Sequence, residues 1–151
     1  MRQIPVKCNQ DIIKSAIRLD GRGEDNYRPL NISFGPDFGC CLASMGNTKV
    51  LTQISSTIGE PRLTRPGEGI VNIRVDLSLL GSTNYDTSRN SEDCVQLTRL
   101  LHKGIKEARC IDLEALCIVS GEKVWHIQAD VIIMNHEGNL IEAASISTLA
   151  A

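Results

Sequence analysis

The sequence predicts an α+β fold, a mixed sheet with helices packed on it, and three observations carry that prediction. Short β-rich runs between residues 30 and 56 are separated by glycine, proline and asparagine. Two further segments, IVNIRVDLSLL and KVWHIQADVIIMN, alternate at strand period. Between them, residues 92 to 109 carry an apolar stripe at helix period.

Taken in order, Ile12, Ile13, Ala16, Ile17 and Leu19 recur at helical spacing after Asn9, a good N-cap. Residues 10 to 19 therefore read as an amphipathic helix ending at Asp20-Gly21. The runs LNISF, CCLASM and TKVLTQISS follow, broken by Gly35-Pro36, Gly39 and Gly46-Asn47, which is the turn chemistry of an antiparallel meander. EPRLTRPGE, with two prolines and two arginines, reads as an exposed basic loop. In the next strand Val71, Ile73, Val75 and Leu77 alternate toward one buried face.

Residues 81 to 91, GSTNYDTSRNS, have no apolar periodicity and read as a second exposed loop. In the helix of residues 92 to 109, Cys94, Leu97, Leu101, Ile105 and Ala108 form the stripe, while Arg99, His102, Lys103, Lys106 and Arg109 gather opposite, as a solvated surface does. A short run, ALCIVSG, precedes the last strand, where Trp125, Ile127, Ala129, Val131 and Ile133 share a face. Trp125, Ile127, Val131 and Ile133 are the expected partners of the helical stripe. After the turn His136-Glu137-Gly138-Asn139, LIEAASISTLAA begins an apolar helix of small residues. It runs to the final residue without a cap, so the chain is expected to be the N-terminal part of one domain, residues 1–151, ending inside the fold.

The charge balance of 16 basic against 18 acidic residues, net −2, excludes a whole-protein positive field, so any nucleic-acid contact is a local basic patch. The six cysteines include no C-x-x-C pair. Cys40 and Cys41 are neighbours on a strand and face opposite ways, which argues for free thiols in a reducing compartment over a structural zinc. No segment approaches the roughly 18 to 20 apolar residues of a membrane span, and no apolar leader opens the chain; a cytosolic or nuclear protein is expected.

There is no phosphate-binding glycine loop and no nucleophile elbow, and the three histidines lack metal-ligand spacing. Asp76, Asp86, Glu92, Asp93 and Asp130 form no pair of diagnostic spacing. Asp130 sits in an apolar strand and reads as a partnered structural carboxylate.

Arg18-Leu19-Asp20-Gly21-Arg22, followed by Tyr27-Arg28, resembles the opening of RNase PH-type exoribonuclease domains. Ile32-Ser33-Phe34-Gly35, Gly46-Asn47-Thr48-Lys49-Val50-Leu51, Arg65-Pro66-Gly67-Glu68-Gly69, Cys110-Ile111-Asp112-Leu113-Glu114-Ala115-Leu116-Cys117, Gly121-Glu122-Lys123-Val124-Trp125 and the stretch from Asn135 to Ser145 line up with it in order. The resemblance runs from about Asp11 to the last residue and is strongest to subunits of the eukaryotic RNA exosome ring. It implies the RNase PH fold, like ribosomal protein S five domain two.

In active members of that family an arginine at the start of the long helix, and a threonine-arginine pair after the glycine turn before the last helix, hold the phosphate that attacks the RNA end. The matching positions here are Asp93 and Leu140-Ile141. The resemblance therefore implies a subunit with no catalytic residue, no cofactor and no metal, guiding single-stranded RNA through a pore by Arg62, Arg65 and Arg89. Its implied partners are the other RNase PH-type ring subunits and the S1/KH cap subunits. Its implied setting is RNA processing and degradation, rRNA processing included, in nucleus, nucleolus and cytoplasm. Two other readings stay open: an active phosphorolytic 3′ to 5′ exoribonuclease whose site is rebuilt from Arg89, and an interaction module without RNA, which the mildly acidic charge favours.

Overall fold

A computed structural model describes residue 22, residues 26–77 and residues 92–151. The expected first helix over residues 10 to 19 and the loop over 81 to 91, with Arg89, lie outside the described residues. Strands β1 (Leu30–Phe34), β2 (Cys40–Met45), β3 (Thr48–Gly59) and β4 (Ile70–Leu77) precede helix α1 (Glu92–Leu101), which continues as a π-helical segment (His102–Glu107). Strands β5 (Cys117–Val119) and β6 (Lys123–Asn135) and helix α2 (Leu140–Ala150) follow.

The six strands form one sheet in the order β1-β2-β3-β6-β4, with β5 paired to β6 off that path. As the turn residues predict, β1, β2 and β3 are an antiparallel meander. Gly46 and Asn47 close β2 onto β3 with Met45 opposite Thr48. Only Gly46 of the two has a positive φ, at 60°, so the turn needs a glycine there and tolerates asparagine second. β6 then pairs antiparallel with β3 and parallel with β4. Two strands can be parallel neighbours only through a long crossover, and here α1 supplies it.

The helices lie on one face of this sheet. Cys41, Ala43 and Met45 of β2, Val50 of β3, Val71, Ile73 and Val75 of β4, and Ala129, Val131 and Ile133 of β6 are buried there. Cys94, Leu97, Leu101 and Ile105 close over them, while Ala108, the last residue of the expected stripe, is exposed beyond the widened end of the helix. Ala143, Ala144 and Ser147 of α2 are completely buried, and with so little side chain the helix backbone comes close to β2 and β3. Within that contact the Ser147 hydroxyl meets the Thr52 hydroxyl at 2.8 Å and reaches the carbonyls of Cys41 and Val50 at 3.3 Å, so both buried hydroxyls are satisfied.

Two expectations need correction. Trp125 does not join the core: it is 36% exposed, because it sits near the start of the 13-residue β6, which outruns the helices, while Ile127 is only half-covered. The basic side of the long helix is also not uniformly solvated. After Leu101 the helix widens, with Ala108 N–H bonding Lys103 O at 3.2 Å and Cys110 N–H bonding Ile105 O at 3.1 Å, each spanning five residues. His102 and Lys106 are brought onto β4, the last strand on its side of the sheet. The His102 Nε2 accepts from the Ile73 N–H at 3.4 Å, and the Lys106 ammonium donates to the Val71 carbonyl at 3.3 Å. Side chains on main-chain groups protect a strand edge from pairing elsewhere.

Ser147→Ala should lower unfolding free energy by about 1–3 kcal/mol, the cost of stranding a buried hydroxyl, and Thr52→Val in the same chain should recover part of it; urea titration of the single and double variants measures both. Two glycines should respond oppositely to alanine. A β-carbon at Gly69 would lie 2.4 Å from that of Leu116 and 3.0 Å from the Trp125 carbonyl, whereas at Gly104 nothing lies within 4 Å. Gly69→Ala should cost about 1–3 kcal/mol and Gly104→Ala should be neutral or stabilise by up to about 1 kcal/mol, read from thermal melts.

Candidate functional site

The parallel pairing of β4 with β6 decides which residues meet at each end of the sheet. Leu77 stands opposite Ile133, so both strands finish at the same edge. α1 and α2 consequently start side by side. Their first turns, with Leu77 and His136, line a cavity of about 290 Å³ whose walls include Asp93, Leu97, Leu100, Leu140 and Ile141. The positions that the sequence compares with a phosphate site, Asp93 and the pair Leu140-Ile141 that follows it in the chain 47 residues later, thus share one pocket. Helix starts attract anions through free N–H groups and the helix dipole. Here acidic side chains already stand in the first turns, Glu92 and Asp93 in that of α1 and Glu142 in that of α2. Besides Asp93, the pocket wall carries Gln96 and His136, and the rest of it is aliphatic.

The turn that delivers Leu140 and Ile141 is held rigidly. Gly138 (φ 94°) and Asn139 (φ 55°) are consecutive left-handed residues. The Arg28 guanidinium donates to the carbonyls of Glu137 at 3.1 Å and Gly138 at 3.2 Å. Thr48 Oγ1 donates to the Gly138 carbonyl at 3.0 Å and accepts from the Glu137 N–H at 3.1 Å. Tyr27 and Asn139 both donate to the Glu142 carboxylate. The sequence marks Tyr27-Arg28, Asn47-Thr48 and the 135–139 turn as separate motifs; the structure joins them into one latch.

At the opposite edge β4 and β6 begin, Ile70 opposite His126, and the basic loop meets the C-terminal end of the long helix. Arg62 and Arg65 face each other across a tight turn closed by the Arg65 N–H on the Arg62 carbonyl at 2.9 Å. A cavity of about 720 Å³ opens beside it, lined by Arg65, Glu68, His102, Lys106, Arg109 and Leu113 among others. The Lys106 ammonium loses protons more readily than an ordinary lysine, first because it is desolvated and then because Arg62 and Arg65 are close; Glu68 opposes this. Lys106 therefore belongs with the two loop arginines. The sequence signal was present in the basic side of the helix, but helical spacing alone does not distinguish a cation aimed at a loop from a solvated one. Arg89 cannot be placed with them, lying outside the described residues.

Other candidates resolve more simply. Asp130 accepts from the Gln128 side-chain amide at 3.1 Å on both oxygens, as a partnered structural carboxylate. Burial pushes the thiols of Cys41 and Cys94 up from the usual range, which keeps them protonated and poor as nucleophiles. Among the described residues, no three or more histidine, cysteine or carboxylate side chains gather where a metal ion could sit.

Known proteins match this arrangement. Exosome complex component RRP45 of Danio rerio is 48% identical over 156 aligned residues, and that of Homo sapiens 41%. The alignments take in the whole chain but only 40% and 36% of those relatives, so the chain spans about two fifths of their length. Among solved structures, a chain of the Archaeoglobus fulgidus exosome with RNA bound to the active site superposes with TM-score 0.88 at 29% identity, over 96% of this chain and 58% of that one. A chain of an archaeal exosome core gives TM-score 0.80 at 27% identity, over 96% and 56%. A family model, 3′ exoribonuclease family, domain 1, matches residues 26–151, which include both sheet ends and the latched turn at one of them. The fold and the family model agree, and the chain belongs to the RNase PH family of 3′ exoribonuclease domains.

Proposed function

We propose that this chain belongs to a non-catalytic core subunit of the RNA exosome, a member of its ring that guides single-stranded RNA without cutting it. The subfamily is the one that includes the seventy-five kilodalton polymyositis/scleroderma autoantigen. The observation that carries the reading is the pocket shared by Asp93, Leu140 and Ile141. Phosphorolysis needs cationic and hydroxyl donors aimed at a phosphate in this place. A carboxylate repels that anion and two aliphatic side chains offer it no hydrogen bond. The relatives named exosome components support the ring role, and the remaining ring subunits and S1/KH caps are its proposed partners. Its proposed setting is nuclear, nucleolar and cytoplasmic RNA processing and degradation, including that of rRNA.

RNA contact is assigned to Arg62 and Arg65 at the other sheet end and to Arg89 of the second loop, which lies outside the described residues; they supply phosphate contacts that carry no base identity. The chain has few aromatic side chains, 3% of its residues, so stacking contributes little and electrostatics dominates.

The purified protein should release no nucleoside diphosphate from labelled oligo(A) with magnesium and phosphate, since losing donors of this kind typically costs about 10²- to 10³-fold each in rate. Diphosphate above a mock preparation would favour the phosphorolytic reading. Replacing Arg62, Arg65 and Arg89 together by alanine should weaken single-strand binding by the assembled ring and flatten its salt dependence, by roughly 0.7 in the slope of log K against log salt per lost contact. Sequence preference should not move. A ring that assembles normally and keeps its slope would favour an interaction module without RNA contact.

A further inference from the structure

We infer that Glu68 is a resident competitor for the RNA phosphate: its carboxylate holds Arg65 in the free protein and must be displaced when a phosphodiester binds, so this one acid sets the affinity and salt dependence of the basic turn. The inference rests on the RNA-contact reading of Arg62 and Arg65.

One Arg65 guanidinium nitrogen donates to both Glu68 oxygens, at 3.0 and 3.3 Å. The Glu68 N–H returns to the Arg65 carbonyl at 3.4 Å, which keeps the two residues in register. The partners are unequal. The Arg65 side chain is 68% exposed on the turn and that of Glu68 only 29%. Glu68 is followed by buried Gly69, whose N–H bonds the Leu113 carbonyl at 2.8 Å and at which an added β-carbon would lie 2.4 Å from that of Leu116. The acid is anchored and the arginine is free to swing. Lys106 completes the set, because its proton affinity is lowered by Arg62 and Arg65 and raised by Glu68. The cavity beside them also holds Glu107, Asp112 and Glu114, but Glu68 is the carboxylate that bonds Arg65.

A phosphodiester presents the same pair of anionic oxygens to a guanidinium as a carboxylate does. When RNA takes Arg65, one charge-assisted contact replaces another and the net attraction is small. The abandoned carboxylate repels the incoming phosphate and recruits a cation from solution. That uptake cancels one counterion released from the RNA, so the salt slope of the natural protein understates its phosphate contacts by up to about 0.7.

The test is Glu68→Gln, which keeps shape and removes charge, in the full-length protein within its assembled complex. Affinity for single-stranded oligo(A) is measured across a salt series beside the parent, R62A/R65A and R65A/E68Q. E68Q should bind about 1.5- to 5-fold more tightly at low salt, the range expected from releasing an exposed ion pair, and its salt slope should steepen by up to about 0.7. Most of that gain should vanish in the R65A background. Glu68→Ala should change affinity in the same direction, and matching melting temperatures exclude a folding artefact. Weaker binding by E68Q would overturn the inference, making Glu68 the group that positions Arg65 for the phosphate. An unchanged slope and affinity in E68Q, with R62A/R65A weakened, would remove the competitor while leaving RNA contact intact. If R62A/R65A binds like the parent, the RNA reading itself fails and the competitor falls with it.

Discussion

Everything in this fold is arranged around β6, a 13-residue strand that hydrogen-bonds β3 on one side in antiparallel sense and β4 on the other in parallel sense. The parallel half is the demanding one, since β4 and β6 can run together only if the chain crosses back over the sheet between them. α1 and its π-helical extension make that crossing on the face where Val71, Ile73, Val75, Val131 and Ile133 are buried. From this one pairing follow the helical layer, the shared pocket at the C-terminal ends of β4 and β6, and the cation cluster at their N-terminal ends.

The first of these ends separates scaffold from chemistry. The latch of Arg28, Thr48 and Asn47 on the Glu137-Gly138 turn is complete, and Glu142 is held by Tyr27 and Asn139. The latch grips the Glu137 and Gly138 carbonyls and the Glu137 and Glu142 carboxylates, and none of these contacts uses the side chains of Leu140 and Ile141. The fold at this end therefore does not depend on which side chains stand at the mouth of the pocket. The buried Thr52–Ser147 hydroxyl pair works in the same structural register, fixing the position of α2 on the sheet without touching the pocket.

At the second end the local widening of the helix matters. A regular α-helix would carry Lys106 at a different angle; five-residue hydrogen bonds at Ala108 and Cys110 enlarge the turn, and Arg109 in a left-handed conformation ends it. The result places an ammonium, bonded to the Val71 carbonyl, within electrostatic reach of two arginines that come from an unrelated loop. Net charge says nothing about which side chains meet here: Arg65, Lys106 and Arg109 line the cavity together with Glu68, Glu107, Asp112 and Glu114.

Much of the fold was legible in the sequence because it is governed by local physics. Turn residues at Gly39 and Gly46-Asn47 and strand-period alternation determined β1 to β4 and β6, helix-period apolar residues determined α1, and an apolar run of small residues marked α2. The family resemblance rested on motifs, and it identified Asp93, Leu140 and Ile141 as positions to compare before any geometry was known. What only the tertiary structure decided are the relations between distant segments. Periodicity places Trp125 on the core side, but helix coverage leaves it 36% exposed. Helical spacing turns Lys106 to solvent, but the π-helical turn brings it back to β4. No sequence rule states that β4 and β6 are parallel neighbours, and that long-range pairing is what makes two helix starts share a pocket and lets Glu68 stand between cations of a loop and a helix. Local propensities act over a few residues, whereas these contacts exist only once the sheet has closed.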